Sequence, residues 1–201
     1  MRGRGVVAVV GIVAAVWLAP ARAAAFDPDG SFAKDTVILS LQVGGGTQNN
    51  VEEHGRLSDI SFVNFTPRLS WLPFGPVGSG WLHGAFEPGL EGWFQYYLEP
   101  REATAEGLKA VGRYHFLSLG RVVPYAELGA GVGASSLKVL EIRATLNFAL
   151  EAGVGLSYFL ADDVALTAGY RFQHISNGNV ERPNRGFNSD TGTLGVSYFF
   201  H

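Results

Sequence analysis

The chain has 201 residues, a net charge of −3 and no cysteine, with 27 glycines and 47% hydrophobic residues. That length fits one domain, and the acidic balance with no basic run gives no nucleic-acid footprint. Without cysteine there is no disulfide framework, and nothing beyond the first 23 residues is apolar enough for a spanning helix.

The N-terminus reads as a cleaved secretory signal over residues 1–23. Arg2 and Arg4 precede an apolar core from Gly5 to Pro20, and Ala21-Arg22-Ala23 offers an A-x-A cleavage site. Its removal takes away Arg2, Arg4 and Arg22, so the mature net charge moves from −3 to −6. Residues 24–201 then form a single domain.

Eight runs of alternating apolar and polar residues follow, at about 36–44, 58–73, 80–98, 104–118, 122–137, 143–159, 163–176 and 188–200. The first sets Val37, Leu39, Leu41 and Val43 against Ser40 and Gln42. The second sets Val63, Phe65, Leu69 and Trp71 against Asn64, Thr66, Arg68 and Ser70. The third places Leu82, Phe86, Leu90 and Phe94 opposite His83, Glu87, Glu91 and Gln95. The fourth places Leu108, Ala110, Tyr114 and Phe116 opposite Lys109, Arg113 and His115. The fifth is glycine-rich, with Leu128 and Val132 opposing Tyr125 and Glu127. Its Gly129–Gly133 stretch lies inside a strand pattern, which favours a barrel bend over a phosphate loop. The sixth and eighth repeat the pattern through Leu146 to Tyr158 and Leu194 to Phe200.

The charges decide which face looks where. Arg68, Lys109, Arg113 and Arg171 share the polar face with Glu87, Glu91, Glu127 and Glu151. Turned inward in a narrow barrel they pair, and the bulky apolar face meets lipid. Aromatics gather near strand ends, at Trp71, Phe74, Trp81, Tyr96, Phe116, Tyr158, Phe159 and Tyr198 to Phe200, as interfacial girdles do. The expected fold is therefore all-β, an eight-stranded antiparallel transmembrane β-barrel, closed so that no edge faces lipid. The competing fold is a soluble barrel or sandwich with the bulky faces pointing in.

The seventh run carries the chemistry. His174 and Ser176 are two apart, so on a strand they share a face, and that face continues Val164, Leu166, Ala168, Tyr170 and Phe172. A base and a nucleophile thus sit on the lipid side. On the last run Asn188 and Asp190 have the same parity as Leu194 and Val196. A symmetric loop over 177–187 would set Ser176 near Asn188 and His174 near Asp190. The set has the logic of a Ser-His-acid triad, in which His takes the Ser proton and the third group fixes the tautomer. Asn177, with the backbone around Gly178, is placed to supply oxyanion donors. The remaining histidines, His54, His83, His115 and His201, have no metal-ligand spacing, and His83 and His115 read as lumen residues. No metal or cofactor is expected.

The segment His174-Ile175-Ser176-Asn177-Gly178, followed by Pro183-Asn184-Arg185-Gly186, resembles the H-x-S-N…P-N-x-G signature of the outer-membrane lipid A 3-O-deacylases, the PagL family. The resemblance implies a cofactor-free esterase that removes the 3-O-linked acyl chain of lipid A from a site on the outer barrel wall. By position it implies His174 as base, Ser176 as nucleophile, Asn177 as an oxyanion residue and Asn184 as the family's second Asn. The family's acid, a Glu, aligns with Asn188, and Asp190 two residues on is the other candidate for that role. The implied partners are lipid A or lipopolysaccharide and outer-membrane lipid, with the protein a monomer or homodimer. The alternative reading is a non-enzymatic small outer-membrane barrel of the structural or adhesion type carrying a decayed motif.

Overall fold

A computed structural model describes residues 26–49 and 58–201. The expected signal segment and His54 lie outside the described residues. Eight antiparallel strands close into a barrel in simple chain order, with the last pairing to the first. They are β1 (Val37–Gln48), β2 (Ser61–Trp71), β3 (Gly84–Glu99), β4 (Ala103–Phe116), β5 (Val122–Ser135), β6 (Leu146–Ala161), β7 (Val164–Ser176) and β8 (Phe187–Phe200). A four-residue helix, α1 (Pro28–Ser31), precedes them.

The faces have the sign the charges predicted. Leu69, Leu90, Leu108, Leu128, Leu150 and Leu194, on six different strands, are each more than half exposed. A belt of that size around a whole molecule is a lipid-facing surface. No helix among the described residues is long and apolar enough to cross a membrane; the strands make the crossing. The inward-facing soluble barrel is thereby excluded.

Inside, the charges form one connected web. Glu91 takes Arg68 at 2.6 Å, Lys109 at 2.7 Å and Arg171 at 2.9 Å. Glu127 takes Arg171 at 2.7 Å, Arg113 at 2.8 Å and Arg68 at 3.0 Å. Lys109 also reaches Glu151 at 2.8 Å. Each of these groups is almost completely buried, so each depends on its partners to offset desolvation. His115 lies in the lumen as expected, 2.5 Å from Glu87.

Two apolar plugs close the ends of the web, and alternation alone does not show them. At the end carrying α1 and the C-terminal residue, Phe32 is buried against Phe159 and Phe199. Phe159 and Phe199 therefore leave the aromatic girdle, because both face inward while Tyr158, Tyr198 and Phe200 face out. At the other end Trp93, Tyr97, Ile175 and Phe187 pack with Leu137, Val139 and Ile142 from the β5–β6 loop. Leu82 and His83 sit outside β3, in and just after a short 3-10 turn (Gly80–Leu82). His83 is a rim residue rather than a lumen residue, with its Nε2 2.7 Å from Asp29 of α1. That hydrogen bond raises the His83 pKa above its ordinary value.

Candidate active site

β7 and β8 are paired neighbours, and the alternation that turns Arg171, Gln173 and Ile175 inward turns His174 and Ser176 out. The register differs from the symmetric one. Ile175 pairs with Phe187, His174 with Asn188, and Phe172 with Asp190. A pairing two residues further along would preserve the faces, so parity alone cannot choose between them. The choice follows from Phe187, which in this register packs into the outer plug with Ile175.

Asn188 rather than Asp190 therefore meets the imidazole. His174 Nδ1 lies 2.7 Å from Asn188 Oδ1. An amide oxygen only accepts, so Nδ1 carries the proton and Nε2 keeps its lone pair. Asp190 is engaged elsewhere and receives the Tyr170 hydroxyl at 2.5 Å. The expectation that Asp190 lies near His174 is corrected by the two-residue change in register.

Ser176 faces out in register with Phe148 of β6, and His174 with Leu150, so both stand beside exposed apolar side chains. Among the described residues no hydrogen bond joins Ser176 to His174. Residues two apart on a strand have Cα atoms about 6.6 Å apart. In substrate-free sites such contacts are commonly long and close with substrate. The space between the two is kept open by Gly186. A Cβ there would lie 3.0 Å from His174 Cε1, 3.2 Å from Ser176 Cβ and 2.8 Å from the Ile175 carbonyl oxygen. Its φ of +66° independently requires glycine.

The loop after Ser176 is built by asparagines. Asn177 is fully buried. Its Nδ2 donates to the Glu181 carbonyl at 2.6 Å, and its Oδ1 accepts from the Asn179 N–H at 3.0 Å. Its own N–H donates to Asn184 Oδ1 at 2.8 Å. Asn177 is thus a turn-builder, with its backbone N–H and one of its two Nδ2 protons engaged inside the loop. Asn184 gives one Nδ2 proton to Asn179 at 3.2 Å and retains the other. The Gly178 N–H has no partner among the described residues, and Gly178 holds a φ of +61°. The β5–β6 loop fixes this arrangement from above. The Glu141 carbonyl accepts the Arg185 N–H at 2.9 Å and the Gly186 N–H at 3.3 Å, and Ile142 bridges Asn184. Glu141 and Gly186 escape sequence reasoning because this contact spans two loops; the one hint was the motif glycine itself.

On the same outer wall a groove of about 780 Å³ runs between Val43, Val63 and Leu194, where Gly45, Ala168 and Gly192 present little side chain. Among the described residues no cluster of three or more His, Asp or Glu is arranged to hold a metal.

The family model described as lipid A 3-O-deacylase (PagL) matches residues 63–197. The structure of the outer membrane enzyme PagL is similar at 22% identity, with 80% of this chain and 98% of that chain covered and a TM-score of 0.53. Neisserial surface protein A is similar at 18% identity, covering 82% and 97% with a TM-score of 0.51. The attachment invasion locus protein Ail of Yersinia pestis is similar at 14% identity, covering 83% and 99% with a TM-score of 0.53. At these identities the structures speak for the fold. Among curated proteins, none matches the chain.

Proposed function

The chain belongs to the lipid A 3-O-deacylase (PagL) family of the outer membrane, and from that premise we propose that it is a carboxylic ester hydrolase acting on lipid A through Ser176 and His174. The observation that carries the proposal is the 2.7 Å bond from His174 to Asn188, which leaves Nε2 as a base on the wall that also bears Ser176. Residues 1–23 fit this reading as the export segment of a protein whose mature part is 24–201.

In the proposed reaction Ser176 Oγ attacks the carbonyl carbon of the 3-O-acyl ester while His174 Nε2 takes its proton. The oxyanion that forms meets the Gly178 N–H and the remaining Asn184 Nδ2 proton, both uncommitted. Asn188 holds the imidazolium in place without offsetting its charge. Collapse of the intermediate breaks the ester C–O bond, and the sugar oxygen leaves with the proton from His174. Water, deprotonated by His174, then attacks the acyl-Ser176 ester and releases the 3-hydroxyacyl chain. Substrate enters sideways from the leaflet, and the groove at Gly45 and Gly192 offers its hydrocarbon a seat on the same wall.

A Ser176→Ala variant tests this. It should insert and fold like the parent yet leave lipid A fully acylated by mass spectrometry. Equal deacylation by parent and variant would remove Ser176 from the mechanism. An intact ester with both, in a folded barrel, would favour the non-enzymatic barrel, for which the neutral Asn188 is the supporting observation.

A further inference from the structure

The loops β5–β6 (136–145) and β7–β8 (177–186) are joined at the rim above the site by the Ile142–Asn184 bridge and the two N–H bonds to the Glu141 carbonyl. Together they carry four exposed cations, Lys138, Arg143, Arg182 and Arg185, against one exposed carboxylate, Glu181. The other acid, Glu141, is buried, and its carboxylate is taken by Ser58 at 2.5 Å and 2.9 Å and by Gln48 at 3.2 Å. In the lumen Arg68, Lys109, Arg113 and Arg171 all have carboxylate partners. Arg143 and Arg182 make no ion pair among the described residues. Lys138 braces the first loop, its ammonium 2.5 Å from the Arg143 carbonyl oxygen and 3.3 Å from Thr145 Oγ1. Beside it a cleft of about 410 Å³ is lined by Thr104, Glu106, Ala134, Ser136 and Thr145, with the exposed Glu106 carboxylate in its wall.

We propose that this joined rim is a phosphate-binding subsite, in which Arg143 and Arg182 hold a phosphate monoester on the saccharide headgroup of the lipid whose ester meets Ser176. The proposal rests on the hydrolase reading for its substrate. The ester lies at the boundary between headgroup and acyl chain, so the sugar and its anions stand just above Ser176, at the level of these loops. The two guanidiniums are carried on separate loops that are braced against each other, and guanidinium is the side chain that best fits phosphate.

The test uses full-length protein with Ser176→Ala in mixed micelles, so that binding is read apart from turnover. The probes are phosphorylated lipid A and the same lipid with its phosphates removed. Adding R143Q and R182Q together is expected to weaken binding of the phosphorylated lipid by about tenfold and to leave the dephosphorylated lipid nearly unchanged. R143K with R182K should retain the preference for the phosphorylated lipid. Equal loss on both lipids, or no loss on either, overturns the proposal. Displacement of lipid A by inorganic phosphate beyond a chloride control of equal ionic strength would assign the rim to free phosphate and also overturn it. Failure of the parent to hydrolyse the ester would strike the hydrolase reading and leave this binding comparison intact.

Discussion

Replacing Asn188 with Asp changes one atom of the site and adds one charge. The two side chains are isosteric, so the 2.7 Å contact with His174 Nδ1 is expected to persist. As Ser176 is deprotonated, the imidazole becomes imidazolium about 4 Å from the new carboxylate, a distance at which an effective dielectric of about 20 gives about 4 kcal/mol. Both residues are only half-buried at the rim, and screening reduces this to about 2 kcal/mol, or about 30-fold in kcat. Asn188→Ala removes the acceptor, frees the ring to change tautomer, and should lower kcat by about tenfold. The assay is the initial rate of 3-hydroxy fatty acid release from lipid A by purified, folded barrel. An Asn188→Asp enzyme no faster than the parent would refute the reasoning, as would an Asn188→Ala enzyme with parental kcat.

Gly186→Ala should lose activity by about 100-fold, because its methyl group meets both His174 and Ser176 and small misplacements at a reacting pair are costly. The same change costs about 1–3 kcal/mol in a urea titration, since alanine must hold a left-handed φ. Glu91→Gln leaves Arg68, Lys109 and Arg171 short of a carboxylate and should lower stability by about 3–5 kcal/mol, with turnover per folded molecule little changed. Asp190→Ala should reduce kcat less than Asn188→Ala does, because Asp190 serves Tyr170; a larger loss would return it to the catalytic set. The His83–Asp29 contact should tie α1 to the rim below pH 6.5 and weaken as pH rises through the raised His83 pKa. Protease cutting near residue 30 measured against pH checks this, with His83→Ala expected to remove the trend.

Strand number, closure and facing were legible in the sequence because period-2 alternation and charge placement report directly on them. Side-chain parity placed His174, Ser176, Asn188 and Asp190 on the outer wall for the same reason. Parity is silent about a shift of two residues, however, and that shift separates Asn188 from Asp190 as the partner of His174. The deciding interaction, Phe187 with Ile175, lies on the inner face, where the sequence reads as polar lumen. Trp93 and Tyr97 were hidden likewise: both are inward residues of β3 beside Glu91 and Gln95, and only the closed mouth explains why they are apolar. The turn-building role of Asn177 was hidden for a different reason: an Asn beside a candidate nucleophile suggests a donor, and its three bonds to Glu181, Asn179 and Asn184 exist only once the loop is folded.

The filled interior has a consequence for the cell that carries this protein. Among the described residues, guanidinium and carboxylate groups interlock across the bore and apolar stoppers fill each mouth, an interior built against the passage of solutes. Its wall can be studded with many copies without turning the envelope leaky, and antibiotic uptake should be indifferent to how much of it is made.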